Sequence, residues 1–505
     1  NIVEGSPVDD GTVVADPVFN VDGANARQST GRNTPTMINA VFNDRNFWDG
    51  RANRFFNGVN PFGKLDDQAR VWIHTRSNTI EDKLAAVFEK YPWAKKYERI
   101  LRRRMWILNS LLGRGFRGRD SMNRVRVLID NGSLASQAVG PPLSDVEMIW
   151  NGRSFPELAR KMFSLRPLAL QEVHPKDSVL ARYANRDGTG LKTQVTYPRL
   201  IREAFRDRWW KSEKLTPDGF TQMEANFTLF WGLAINLYES TLVSDQTPFD
   251  HFANGDHEAL SEEARRGLKI FLNEGRCINC HEGPEFTGAT VSALRGARSN
   301  EPDFIEFMDM QRGPTAFYDN GFYNIGVRPT LEDLGVGASH PQFGPLSYTR
   351  QRQNGRDVGQ DIDVPDGARV AVDGAFKTPT LRNIELTGPY MHNGGMKSLT
   401  EVVQFYTRRA DFFKQNIDDL DPDVDGISRL QDNPEDIAAV VSFLKSLTDE
   451  RVRRQRAPFD HPELIVPHGH SGVSDGVALD ESFTLPAVGR KGGPPIQTFV
   501  EKLED

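Results

Sequence analysis

One pentapeptide constrains this chain more than any other feature. Cys277-Ile278-Asn279-Cys280-His281 is a CxxCH that holds the only two cysteines of 505 residues. Two cysteines so close together cannot staple a chain of this length, which excludes a disulfide framework. A structural zinc site wants four ligands, and there is no third cysteine to help build one. A thioredoxin-like redox pair wants a βαβ setting that the flanks do not show. What the motif supports is covalent attachment of haem c. Each thiol adds to a vinyl group, the two-residue spacer sets the sulfurs apart, and the adjacent imidazole falls under the iron.

The flanks agree with that chemistry. SEEARRGLKIFLNEGRC (261–277) reads as an amphipathic helix with Ala264, Leu268, Phe271 and Leu272 on one face, running straight into the motif. NPEDIAAVVSFLKSLTDE (433–450) reads as a closing helix, with Asn433 as N-cap and Pro434 at its first position. The most apolar stretch, FTLFWGLAINLY (227–238), is too short to span a bilayer and reads as a buried helix. A net charge of -7 gives no global argument for nucleic acid, and no nucleic-acid module is recognisable. Alternating strand patterns are scarce and no solenoid repeat is present, so the expected fold is mainly α.

Several longer blocks carry a resemblance. FKTPTLRNIELTGPYMHNGGMKSLTEVVQFY (376–406) closely resembles the second-haem domain of bacterial di-haem cytochrome c peroxidases and their MauG-type relatives. RNTPTMINAVFNDRNFWDGRA (32–52) resembles the stretch that follows their first haem, and SLASQAVGPPLSDVEM (133–148) the segment over their peroxide-binding face. With GFYNIGVRP (321–329), these blocks cover most of the chain in the family's order.

The resemblance implies roles for individual residues. His281 would be the proximal ligand of the electron-transferring haem attached to Cys277 and Cys280. Tyr406 stands where the peroxidases place a distal methionine and MauG-type members a tyrosine; Met391 and Met396 are the alternatives. The helix carrying it is readable by itself, with a Ser398/Glu401 capping box and a face shared by Val402, Val403 and Tyr406. Apart from the resemblance, Tyr406 reads as an ordinary core tyrosine. A thioether raises the potential, whereas a phenolate favours ferric and higher states, so Tyr406 leans toward MauG-like oxidation chemistry. Gln137 and Glu147 match the distal glutamine and glutamate of the peroxide pocket, where a carboxylate can move a proton between peroxide oxygens. Without the family, Glu147 is a surface-loop acid and Trp48 a core tryptophan. With it, Trp48 matches the tryptophan between the two haems. Asn33, with the carbonyls of Thr387 and Pro389, matches a calcium site, and oxygen ligands suit that hard cation.

Three departures from the family pattern shape the expectations. No CxxCH lies upstream of the matching first-haem residues, so the expected explanation is a segment preceding Asn1; the rival is a member that has abandoned its first haem. NVDGANARQSTGRN (20–33) contains no histidine, so a first haem would be open on its distal side. An insertion spans about 53–132, and part of it, KKYERILRRRMWILNSLLGRGFRGRDSMNRVR (95–126), sets eleven Lys or Arg against two acids. A solvated helix face is the plain reading of such a run, and a docking surface for an acidic redox partner the sharper one. Its interleaving with Trp106, Ile107, Leu108, Leu111 and Leu112 argues against a disordered basic tail.

The expected architecture is two cytochrome c-like domains with long irregular loops and an extended C-terminal tail. Residues 1–250 form a peroxidatic-type domain, 251–465 the haem-bearing domain, and 466–505 the tail over the surface. The leading function is a haem c and Ca2+ oxidoreductase of the peroxidase/MauG type. It would work with a redox-protein donor or a protein substrate, in the periplasm or on the cell surface, where thioether attachment takes place. The rivals are a non-enzymatic mono-haem electron carrier or assembly subunit, and a haem-dependent oxygenase. Homo-oligomerisation is left open.

Overall fold

The computed structural model describes residues 2–3, 5–6, 9–76, 88, 91–101, 104, 120–148, 150–295, 302–427, 430 and 433–504. The elements of the first half that position the functional residues are β1 (Ala24–Asn25), the antiparallel pair β2 (Val71–Arg76) and β3 (Asp120–Val125), α1 (Ser133–Ala138) and α2 (Phe227–Glu239). After α3 (Pro248–Ala253) and α4 (Glu262–Leu272) comes a loop-rich stretch. It contains β4 (Ile305–Met308), β5 (Ala316–Asp319), β6 (Phe322–Tyr323) and β7 (Phe376–Lys377). The chain continues through α5 (Leu399–Thr407), α6 (Asp423–Ile427) and α7 (Pro434–Lys445), then β8 (Leu464–Ser474) and β9 (Val477–Leu485).

Helix makes up 30% of the chain and strand 14%, so the fold is mixed rather than mainly α as expected. Most of the strands are two to six residues long, too short for alternation to be read from sequence. Of the residues expected to form an extended tail, 466–485 lie in the β8–β9 hairpin, whose last strand pairs with β1 through Val477 and Asn25. Its turn is Asp475-Gly476, with φ of 51° and 78°. Both central residues of a type I′ turn need positive φ, which is why Asp-Gly nucleates such hairpins. In the basic insertion, Trp106, Ile107, Leu108, Leu111 and Leu112 lie outside the described residues, while Lys95 and Lys96 are exposed in the turn Pro92–Tyr97. Among the described residues no helix is long and apolar enough to cross a membrane.

Two apolar clusters dominate the interior. In the first, Phe227, Leu229 and Phe230 of α2 pack with Ala135 of α1, Val71 of β2 and Phe56. In the second, Ile270 and Phe271 of α4 meet Val403 and Phe405 of α5 and Val440 and Phe443 of α7. The expected cap of the closing helix is present: Asn433 accepts from the Glu435 amide at 3.1 Å with Pro434 at the first position of α7. The buried stripe of α4 differs from the expected one. Ala264, Gly267, Ile270 and Phe271 are inside, whereas Leu272 is 47% exposed. Leu268 is half-buried against the same cluster, and Gly267 is where α4 meets the α7 backbone.

That contact explains the glycine. A Cβ at position 267 would collide with the Ala439 carbonyl and approach the Phe443 Cβ. Only a bare backbone lets the two helices cross this closely. Gly267→Ala should therefore destabilise the full chain by about 1–3 kcal/mol, the usual cost of overpacking a filled interface. A denaturation midpoint equal to that of the wild type would show that the crossing tolerates a side chain.

Candidate functional site

The CxxCH turn is built directly off the end of α4. Arg276 adopts a left-handed conformation (φ 48°), residues 277–279 make one 3-10 turn, and the His281 amide donates to the Cys277 carbonyl at 2.9 Å. Asp423, at the start of α6, holds the turn from outside. It accepts from Asn279 Nδ2 at 2.7 Å and from Arg276 Nη1 at 3.2 Å. The result puts Cys277, Cys280 and His281 on the wall of one cavity of about 210 Å³.

The rest of that wall is largely apolar, with Phe271, Val403, Val440 and Leu444 from the core cluster. Both thiols are unpaired and deep in the fold, and they keep accessible surface because they face the cavity. Burial pushes the Cys277 thiol up to about 12 and raises Cys280 well above the usual thiol value, so each is a protonated thiol at neutral pH. Burial also pushes His281 down to about 4, against the opposing carbonyls of Phe286 and Pro379. Its Nδ1 lies 2.9 Å from the Phe286 carbonyl oxygen. An N–H donated there leaves the lone pair on Nε2, the arrangement that orients a ligating imidazole.

Tyr406 and Met391 line the same cavity, whereas Met396 packs in the core outside the lining. Val402, Val403 and Tyr406 face it together, as their helical spacing requires. Ser398 caps α5 by accepting from the Glu401 amide at 3.2 Å, but the Glu401 carboxylate turns to the Lys397 amide at 2.8 Å. The expected capping box is thus half-made. Burial raises the Tyr406 hydroxyl above the ordinary phenol range.

Whether these residues fit haem c is answered by Lys377 of β7. It is buried in the cavity wall, burial pushes its ammonium down to about 8, and no carboxylate pairs with it among the described residues. A buried cation wants an anion, and a haem propionate is one. Two thiols, an imidazole with a free Nε2, a phenol and an uncompensated ammonium in one apolar cavity form a donor set that fits haem c.

A second, larger cavity of about 960 Å³ adjoins the first. Gln137 of α1, Glu147 and one stripe of α2 (Trp231, Ile235 and Glu239) line it. Gln137 sits with its Nε2 3.3 Å from the Met37 sulfur, and Glu147 is an exposed part of the lining. Trp48 lines both cavities. It is fixed at both ends: its Nε1 donates to the Asn33 carbonyl at 2.7 Å, and its own carbonyl accepts from the Lys377 amide at 2.8 Å. Its ring meets His392 edge-on at 6.4 Å, and His392 stacks on Phe376 at 3.7 Å.

Asn33, Thr387 and Pro389 are brought together. Asn33 turns its Nδ2 to the Pro389 carbonyl at 2.7 Å, and the Thr387 hydroxyl donates to Ile384 at 3.2 Å. Among the described residues no group of three or more His, Cys, Asp or Glu side chains is placed to hold a metal ion. The oxygens expected to hold calcium, an amide oxygen and two backbone carbonyls, are not among those side-chain types.

Sequence reasoning passed over two residues. Lys377 was visible within FKTP, without any reason to single it out. Glu239 closes the cavity-facing stripe of α2 at i, i+4, i+8 spacing from Trp231 and Ile235. Its Oε2 is buried without a hydrogen-bond partner, and burial pushes the carboxyl up to about 7. An acid ending the inner face of an otherwise apolar helix was the available signal.

Comparison with known proteins adds the following. Residues 9–258 match the family profile described as di-haem cytochrome c peroxidase. The cytochrome-c peroxidase IdrP1 of Denitromonas iodatirespirans is 31% identical over 235 residues, 46% of this chain and 54% of that protein. The methylamine utilization protein MauG of Methylophilus methylotrophus is 26% identical over 265 residues, 52% of this chain and 54% of its own. The chain thus spans about half the length of these curated relatives. Among solved structures, the diheme peroxidase BthA from Burkholderia thailandensis E264 aligns at 18% identity with a TM-score of 0.33. That alignment covers 65% of this chain and 67% of that one.

The state of Glu239 gives a stability signature. Its folded pKa lies above the ordinary glutamate value of 4.5, so the folded chain keeps a proton that the unfolded chain has released. Stability therefore falls as pH rises through that interval and levels off above about 7. Glu239→Gln has no such proton to lose. Its advantage in Tm over the wild type should grow from about pH 5 to about pH 8. Parallel Tm profiles would mean that Glu239 ionises freely in the fold.

Proposed function

The chain belongs to the di-haem cytochrome c peroxidase family, and on that premise we propose that it is a haem c oxidoreductase of the peroxidase/MauG type. Electrons would pass between a haem at the smaller cavity and a peroxide-reacting haem at the larger one. The observation that carries this reading is the position of Trp48, a fixed aromatic wall common to both cavities. Bound haem would supply electron storage in one cavity and the site of peroxide cleavage in the other.

The chain's own groups then divide the work. Cys277 and Cys280 would anchor the haem, His281 Nε2 and Tyr406 would ligate its iron with Met391 as the rival to Tyr406, and Lys377 would balance a propionate. Trp48 would give an aromatic path between the cavities. Glu147 takes the proton from one peroxide oxygen and delivers it to the other, while the Gln137 amide positions the peroxide. The Tyr406 phenol, which lines the smaller cavity together with the Met391 thioether, supports the MauG-like branch, in which oxidising equivalents attack a protein or organic substrate. The division at about residue 250 is supported by the two separate apolar clusters and by the family match ending at 258. Thioether chemistry supports a protein exported from the cytoplasm, working with a redox-protein donor.

Glu147→Gln tests the reading. It should reduce peroxide turnover by about 10²–10⁴-fold, the usual worth of a positioned proton-transfer group, while covalent haem content stays at the wild-type level. Full turnover in that variant removes Glu147 from the mechanism. A wild-type protein inert to peroxide would put the electron-carrier reading in its place.

A further inference from the structure

The smaller cavity has a polar outlet that the roles above leave unused. Tyr323 of β6 lines the cavity. Its hydroxyl donates to Asn320 Oδ1 at 3.3 Å, and Asn320 Nδ2 donates to Glu306 Oε1 at 2.8 Å. The Tyr318 hydroxyl donates to the same Glu306 carboxylate, and the Tyr318 and Tyr323 rings lie 6.0 Å apart. Strand pairing sets the geometry, because Glu306 of β4 sits directly opposite Tyr318 of β5. The chain of groups ends near the surface. Glu306 is half-buried, and its neighbour Phe307 is 57% exposed, packed on Phe317 at 4.6 Å.

The two phenols face acceptors of different basicity. Tyr323 donates to an amide oxygen, which cannot keep a proton, so its ring serves as a bridge. Tyr318 donates to a carboxylate, which can. We propose that Tyr318 is the terminal redox group of the smaller cavity. It yields one electron, through the Tyr323 ring, to an oxidised haem held by Cys277, Cys280 and His281, and its phenolic proton passes to Glu306. The products are a neutral tyrosyl radical, a protonated Glu306 and a haem reduced by one electron. An external reductant arriving at the Glu306–Phe307 edge returns the electron, and Glu306 returns the proton. Burial pushes the Glu306 carboxyl up to about 6, close enough to neutrality to hold a proton that a surface glutamate would shed. The buried Tyr318 phenol is itself raised well above its usual range, so it rests neutral and hydrogen-bonded. This inference relies on the proposed haem loading but not on peroxide as the oxidant.

Freeze-quench electron paramagnetic resonance on the full haem-loaded chain tests it with two oxidants in parallel. One is peroxide. The other is hexachloroiridate, a one-electron oxidant that needs no peroxide chemistry. The wild type should give a tyrosyl signal. Tyr318→Phe should lose it while keeping the haem content and the optical spectrum of the oxidised haem, and Glu306→Gln should lose it for want of a proton acceptor. Tyr197→Phe, a buried tyrosine outside the network, should retain it. Wild-type signal in Tyr318→Phe, or no tyrosyl signal in the wild type once hexachloroiridate has oxidised the haem, would overturn the proposal. A signal with hexachloroiridate and none with peroxide would uphold it and sink the peroxidase reading instead.

Discussion

The structure depends on one buried ion pair, Arg45 with Asp319. Both side chains are almost fully enclosed, and they meet at 2.8 Å. Asp319 also accepts from the Ser347 hydroxyl and from the amides of Tyr348 and Thr349, all within 2.9 Å. The guanidinium lies between two rings, 3.8 Å from the Tyr348 centroid and 4.2 Å from that of Phe322. A buried pair survives desolvation only when its remaining bonding capacity is used, and removing one partner typically costs roughly 3–5 kcal/mol. Asp319 uses both of its oxygens, and Arg45 adds a bond from Nη1 to the Leu346 carbonyl at 3.2 Å, while its Nε is left without a partner. The pair ties the segment just before Trp48 to the end of β5, three residues short of β6.

From that weld the placement of the site follows. Arg32 adds a second clamp, bridging Asp49, the chain neighbour of Trp48, at 2.6 Å and Asp333 at 2.7 Å. Trp48 is then held by its indole nitrogen, its carbonyl and both neighbouring ion pairs, a rigidity expected of an aromatic that must keep a constant distance to two cavities. On the other side, Arg382 reaches Asp250 of α3 through two bonds of 2.8 and 2.9 Å and the Pro284 carbonyl at 2.7 Å. This aligns the segment 376–382 with the loop that follows CxxCH. Charged groups thus set the frame, and apolar groups fill the cavity walls within it.

How much of this was legible in the sequence varies with the range of the interaction. The α4 and α7 helices, the Asn433 cap and the common face of Val402, Val403 and Tyr406 are local patterns, and the structure contains them. The Asp475-Gly476 hairpin was equally local, but its flanking strands are exposed throughout β8 and lack an apolar face to advertise them. Leu272 misled because a four-residue stripe cannot reveal that a glycine meets the neighbouring helix. Lys377, Glu239 and the Tyr318–Glu306 pair become conspicuous only when burial is known, because each is defined by what surrounds it. The convergence of Asn33, Thr387 and Pro389 was foreseen from resemblance, and a bond from Asn33 Nδ2 to the Pro389 carbonyl joins two of them.

Every role assigned above presumes that the smaller cavity carries covalent haem. The most direct measurement is a pyridine-haemochrome assay on acid–acetone-extracted protein, combined with peptide mass mapping across residues 270–290. The account predicts haem that resists extraction and a mass increment of one haem on the peptide containing Cys277 and Cys280. Haem released into the acetone, or a peptide whose two thiols both alkylate freely after expression in a cytochrome c-maturing host, would contradict it.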